Sequence, residues 1–200
     1  MKKFLATLLS LCMVFALSAT AFAAEIETDG GSGSTPVYLT STADGTLDGE
    51  PAATAMSVTL PTALPMAVSQ SGDVTTADNC QIINHSYGAV RVKSVTISAA
   101  NGWKLTAFAD KSTLAKEKVN SNKLGFALSI GGGAQVKTDA SDAATQALID
   151  TPIPGCYLSG SGDITANAVS VDYAAIVTPL SQAVSNANIA NVIFVVEWDT

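Results

Sequence analysis

Charge is scarce in this chain. Asp, Glu, Lys and Arg make up only 14% of 200 residues, and the 10 Lys and Arg are outnumbered by 17 Asp and Glu. The net charge of −7 excludes a nucleic-acid binder of the basic-patch kind, which needs clustered cations to displace counterions from phosphates. A charge-rich disordered chain is excluded too, because 48% of the residues are hydrophobic and can supply a core. Aromatic residues are few, at 6%.

Catalytic patterns are sparser still. A Ser-His-Asp arrangement would need His85, the one histidine, as its base. His85 stands in Asn84-His85-Ser86-Tyr87, where a strand-end or turn histidine is expected. There is no Gly-x-Ser-x-Gly elbow and no His-Glu-x-x-His. Gly131-Gly132-Gly133 lacks the Lys-Ser/Thr that completes a phosphate loop. Acids are numerous enough for a glycosidase pair, but no spacing singles one out. No cofactor is implied, and the sequence reads as non-enzymatic. Asn84-His85-Ser86 also matches a glycosylation acceptor, a common triplet.

The N-terminus is the clearest positive signal. Lys2 and Lys3 precede an apolar run from Phe4 to Leu17, and Ala21-Phe22-Ala23 forms a small-x-small cleavage site. Residues 1–23 therefore read as a secretory signal peptide. The run is too short for a membrane span. Cys12 lies inside it and follows Leu11, which argues against a lipid-modified cysteine. Cleavage leaves 177 of the 200 residues, and loss of both lysines shifts the net charge from −7 to −9. The mature chain is expected to have no membrane span and to be secreted. Cys80 and Cys156 remain after cleavage, and outside the cytoplasm such a pair reads first as a disulfide, or else as two buried thiols. A bridge closing so long a loop would contribute roughly 4 kcal/mol. Two cysteines and one histidine cannot complete a four-ligand zinc site.

Residues 24–53 read as a flexible linker or edge segment. Asp29 to Pro36 is Gly/Ser linker chemistry, and Val37 to Thr42 alternates like a loose strand. Asp44, Asp48 and Glu50 could offer oxygen ligands to calcium, though they fit no full calcium loop; solvated loop acids are the default. Residues 54–200 read as the folded domain. Met56 to Leu60, Met66 to Ser69, Cys80 to Ile83, Leu124 to Ile130, Ile164 to Val177 and Val192 to Trp198 carry strand patterns. Along Val90 to Ser98 the apolar residues switch from even to odd positions, which predicts a bulge. Asn101-Gly102 accepts positive φ, so Val90 to Phe108 is predicted to be a hairpin. Asp139 to Ile149, Ala-rich with Asp139 or Ser141 as cap and Pro152 beyond, is the best helix candidate. Many short strands without a βαβ rhythm predict an all-β fold: an antiparallel β-sandwich of Ig-like or Greek-key type with one or two short helices.

Two segments resemble the WxL-domain proteins. Val90-Arg-Val-Lys-Ser-Val-Thr-Ile97 followed by Asn101-Gly-Trp-Lys-Leu-Thr106 resembles their first signature, and Phe194-Val-Val-Glu-Trp198 resembles the strand of their second Trp. The stretch from Pro61-Thr-Ala-Leu-Pro65 to Ile83-Asn-His-Ser86 also looks like a type of small secreted protein of Gram-positive bacteria. The resemblance covers about a third of the chain. It departs at the end, where Trp198-Asp199-Thr200 replaces a second Trp-x-Leu. What it implies is wall attachment through Trp103 and Leu105, with a cell-wall polymer or surface protein as partner. The expected function is thus that of an exported cell-surface or matrix protein acting by contacts. Alternatives are a carbohydrate-binding or glycan-acting protein, which would stack sugars on Trp103, Trp198, Tyr87, Tyr157 or Tyr173, and a fibre subunit built by strand addition, with residues 25–51 as donor. Core packing is the expected use of Trp103 and Trp198.

Overall fold

The structure, a computed structural model, describes residues 55–200. The signal peptide, the 24–53 linker, the alternating stretch at 37–42 and the calcium reading of Asp44, Asp48 and Glu50 lie outside the described residues. What is described is almost entirely β.

The largest sheet has seven strands. Its order is β1 (Val58–Thr59), β4 (Gln81–Asn84), β12 (Ala168–Val177), β7 (Lys123–Ile130), β6 (Lys104–Thr106) and β9 (Ser141–Ala143), with β8 (Val136–Lys137) also on β7. A four-stranded sheet is built on β5 (Val90–Ala99). There β13 (Ala190–Trp198) runs along the whole of β5. The shorter β10 (Thr145–Ile149) and β11 (Tyr157–Leu158) pair with different parts of β5 and share its opposite edge. A separate hairpin joins β2 (Met66–Val68) to β3 (Val74–Thr76). The tie from this hairpin to the large sheet is Tyr173, whose hydroxyl donates to the Pro65 carbonyl and accepts from the Ala77 N–H at 3.2 Å.

One hydrophobic core draws on both larger sheets. Ile82, Leu124, Phe126, Leu128, Ile130 and Val171 come from the seven-stranded sheet, and Val90, Val92, Val95, Ile97 and Leu158 from the other. Phe126 and Tyr173 stack within it, ring centroids 6.1 Å apart. Each such side chain contributes about 1.5–3 kcal/mol by leaving water.

The predicted bulge is present. Val195 pairs with Ser94 and Val196 with Val92, so Lys93 is the extra residue. Val90 and Val92 are buried before it, Val95 and Ile97 after it. Inserting one residue is what keeps the apolar side chains inward after the parity change.

Three expectations are corrected. Val90 to Phe108 is not a hairpin, because β5 and β6 lie in different sheets. Asn101 (φ 51°) and Gly102 (φ 80°) do form the positive-φ turn, closed by the Trp103 N–H to the Ala100 carbonyl at 3.0 Å. Both edges of β5 are already taken, however, so the chain crosses over and Lys104 donates to Asn122 instead, at 2.9 Å. There β6 runs parallel to β7, so the fold is not purely antiparallel. Finally, Asp139 to Ile149 is not a helix. It forms β9 and β10, with Asp142 at φ 56° as the irregular residue within β9, where the register on β6 shifts. The edge of β5 opposite β13 supplies a ladder for residues 145–149, and tertiary pairing overrides the helical preference of alanine. The helix that does form is α1 (Lys111–Leu114), four residues long, whose Leu114 is buried.

Candidate functional site

Buried polar side chains are the first place to look for chemistry. The four among the described residues are Asn84, Ser86, Thr138 and Thr178. All four hold the backbone together. Asn84, with no exposed surface, donates from Nδ2 to the carbonyls of Gly88 (2.9 Å) and Ser159 (2.8 Å) and accepts from the Ser86 N–H (2.9 Å). Ser86 accepts from the Ser57 N–H at 2.8 Å, and Thr178 accepts from the Lys123 N–H at 3.0 Å. Thr138 sits where the edge of β7 passes from β6 to β8. Its hydroxyl accepts from the Phe126 N–H at 2.9 Å and donates to the Thr106 carbonyl at 2.6 Å. It thereby joins three strands, beside the backbone bond from the Thr138 N–H to the Phe126 carbonyl at 2.8 Å.

These networks decide several readings of the sequence. The Asn84 amide is inaccessible and both its N–H groups are used, so the folded protein has no room for a glycan there. His85 is exposed, and its Nε2 meets the Thr59 hydroxyl at 3.0 Å, not a carboxylate. Gly133 and Gly155 pack backbone against backbone: a Cβ at Gly133 would lie 2.2 Å from the Pro154 carbonyl oxygen, and one at Gly155 2.0 Å from that of Ile130. The glycine run is therefore a packing device between two loops.

Cys80 and Cys156 are free, and no disulfide joins them. Cys80 precedes β4 with its Sγ 4.0 Å from the Ala63 carbonyl oxygen, whereas Cys156 precedes β11 beside β5. Both pack on the core as small hydrophobes, each just before a strand of a different sheet. Burial pushes the Cys156 thiol pKa up. Leu105 is fully buried in the core, so it has no surface to offer a partner; Trp103 is half-buried against the same core. Trp198 is half-buried too, with its ring against Gly88, where a Cβ would lie 3.0 Å from it. Tyr173 is buried, while Tyr157 is 47% and Tyr87 89% exposed. The loops bearing Tyr87 and Gly160 touch, and Ser161 donates to the Ser86 carbonyl at 2.8 Å.

The most distinctive surface is β13. Val192, Phe194, Val196 and Trp198 pack against the core, whereas Ile193 (53% exposed) and Val195 (44%) face solvent. Among the described residues its one paired neighbour is β5. A groove of about 190 Å³ separates residues 61–64 from Ala190, Asn191, Val192 and Phe194. At the far end an ionic cluster ties β13 to β5. Glu197 meets Arg91 at 2.9 Å and Lys93 at 2.7 Å, and Arg91 also meets Asp199 at 3.2 Å. Lys93 first, then Arg91, holds the Glu197 carboxyl below the usual glutamate range. Sequence reading missed this cluster because its acids and bases lie more than a hundred residues apart.

No family model, curated protein or solved structure matches the chain. Among the described residues no helix is long and apolar enough to cross a membrane.

Proposed function

We propose that the chain is an exported, non-enzymatic protein of a bacterial cell surface or extracellular matrix. It acts through contacts with a cell-wall polymer or a surface protein, and its two larger sheets form a β-sandwich of Ig-like type. The leader pattern supports export. The observation that carries the rest is how polar groups are spent: every buried polar side chain named above bonds backbone, while large apolar and aromatic groups, Tyr87, Ile164, Ile193 and Val195, face outward. A scaffold that fixes its loops and displays such groups is suited to binding. The WxL resemblance enters through the half-exposed Trp103 and Trp198, without help from Leu105. A second reading, glycan binding, is favoured by the exposure of Tyr87 and Tyr157.

Expression with its own leader in a Gram-positive host tests this. The protein should fractionate with cells and come off in denaturant. Recovery of all of it from the medium would refute surface association.

A further inference from the structure

Among the described residues one edge of β13 is unpaired. Asp199 donates its N–H to Ala89 at 3.0 Å, and Ile189 accepts from Ala100 at 2.9 Å, so odd-numbered residues bond toward β5. Bonding direction alternates along a strand. The backbone N–H and C=O groups of Ala190, Val192, Phe194, Val196 and Trp198 therefore point away from β5, to the open edge. Edges of this length are ordinarily blunted by Lys, Pro or a bulge. Residues 190–198 contain no Lys, Arg or Pro, and the bulge in this pair lies on β5.

We propose that β13 pairs antiparallel with the β13 of a second copy, about a two-fold axis through Phe194. This rests on the reading of the protein as one that works by surface contacts, and it names one such contact. The strand is self-complementary in that register. Residues 190–198 are symmetric about 194, so the whole nine-residue strand pairs, and all five outward-bonding residues face one another. On the solvent face Ile193 lies opposite Val195 of the second copy, and Val195 opposite its Ile193, so each exposed apolar side chain covers the other. Asn191 lies opposite Glu197, an amide against a carboxylate with no like charges in register. On the core side Val192 meets Val196, Ala190 meets Trp198, and Phe194 meets itself. The groove beside residues 61–64 receives the partner strand's C-terminal half. Charge favours the second copy over a basic partner. Arg91 and Lys93 balance Glu197 and Asp199, so this edge is locally neutral on a chain of net −7. Closure about a two-fold uses up both edges and gives a dimer, not a fibre.

Sedimentation of the secreted full chain over a concentration series tests this, alongside the double variant I193K/V195K. Both positions are exposed, so the variant's circular dichroism should match that of the parent. The parent should dimerise, and the variant should dissociate at least about tenfold more readily, since two lysines then face two. In a Cys80→Ser background, oxidised mixtures of I193C and V195C should cross-link, whereas I193C alone should not, because residues 193 of the two copies are offset along the strands beyond disulfide reach. A chain still monomeric at about 1 mM overturns the pairing, as does a dimer that survives the double variant, a species larger than a dimer, or cross-linking of I193C alone. A monomer whose β13 amides resist exchange overturns it too, because the edge is then covered within one chain. Wall binding by a strictly monomeric chain would refute this pairing while leaving the surface reading intact.

Discussion

Single residues carry more of this fold than its composition suggests. Thr138 is the clearest case. Thr138→Val keeps the shape and removes the hydroxyl, leaving the Phe126 N–H and Thr106 carbonyl buried without that partner. The expected loss is about 2–3 kcal/mol in chemical denaturation, with Thr138→Ser costing less. A valine as stable as the parent would show that the hydroxyl is not needed at the junction. Nothing in the sequence marks Thr138, because its partners come from β6 and β7 and a threonine in a polar stretch reads as an exposed turn residue. Asn84 was visible only as part of a triplet pattern, and its burial reverses that meaning. The cysteines were legible as a pair but not in their state, since pairing depends on approach in space. A thiol reagent should label half-buried Cys80 in the native protein, while Cys156, buried and with its pKa raised, should react only on unfolding. Failure of both to react in the unfolded protein until a reductant is added would establish a disulfide.

Among the elements, strands with strict alternation were readable, and so was the bulge at Lys93, because burial imposes parity on the side chains themselves. Pairing partners were not. Asn101-Gly102 specifies a tight turn but not that the next strand stays in the same sheet, and occupation of both edges of β5 decides against it. The Ala-rich stretch ending at Ile149 shows the converse, a local helical preference yielding to an available edge. The β5–β13 pair makes an acid-sensitive prediction. Glu197 has its pKa depressed in the folded state, so it stabilises above the ordinary glutamate value, about 4.3, and that support is lost as pH falls through the lower folded value. Amides of β13 near Trp198 should therefore exchange faster relative to the rest of the core below about pH 4, a contrast that Glu197→Gln abolishes. Equal pH dependence in parent and variant would remove the cluster from the account. The effect is small, as expected of ion pairs near the surface.

For the whole molecule, the β class was legible because short alternating runs outnumber everything else, and one core draws on both larger sheets. The candidate site was not legible as a place. Of the pair named from Trp-x-Leu, only Trp103 keeps exposed surface, whereas Tyr87 and the outer face of β13 emerged only once burial was known. The acidic balance of the chain also bears on partners: at net −7, or −9 without Lys2 and Lys3, it is repelled by anionic polymers unless specific contacts prevail, so any wall binding must survive high salt. Co-sedimentation of the purified, secreted protein with isolated Gram-positive cell walls in high salt tests the central claim most directly. Saturable pelleting that denaturant reverses is the predicted result, and a protein that stays wholly in the supernatant would contradict it.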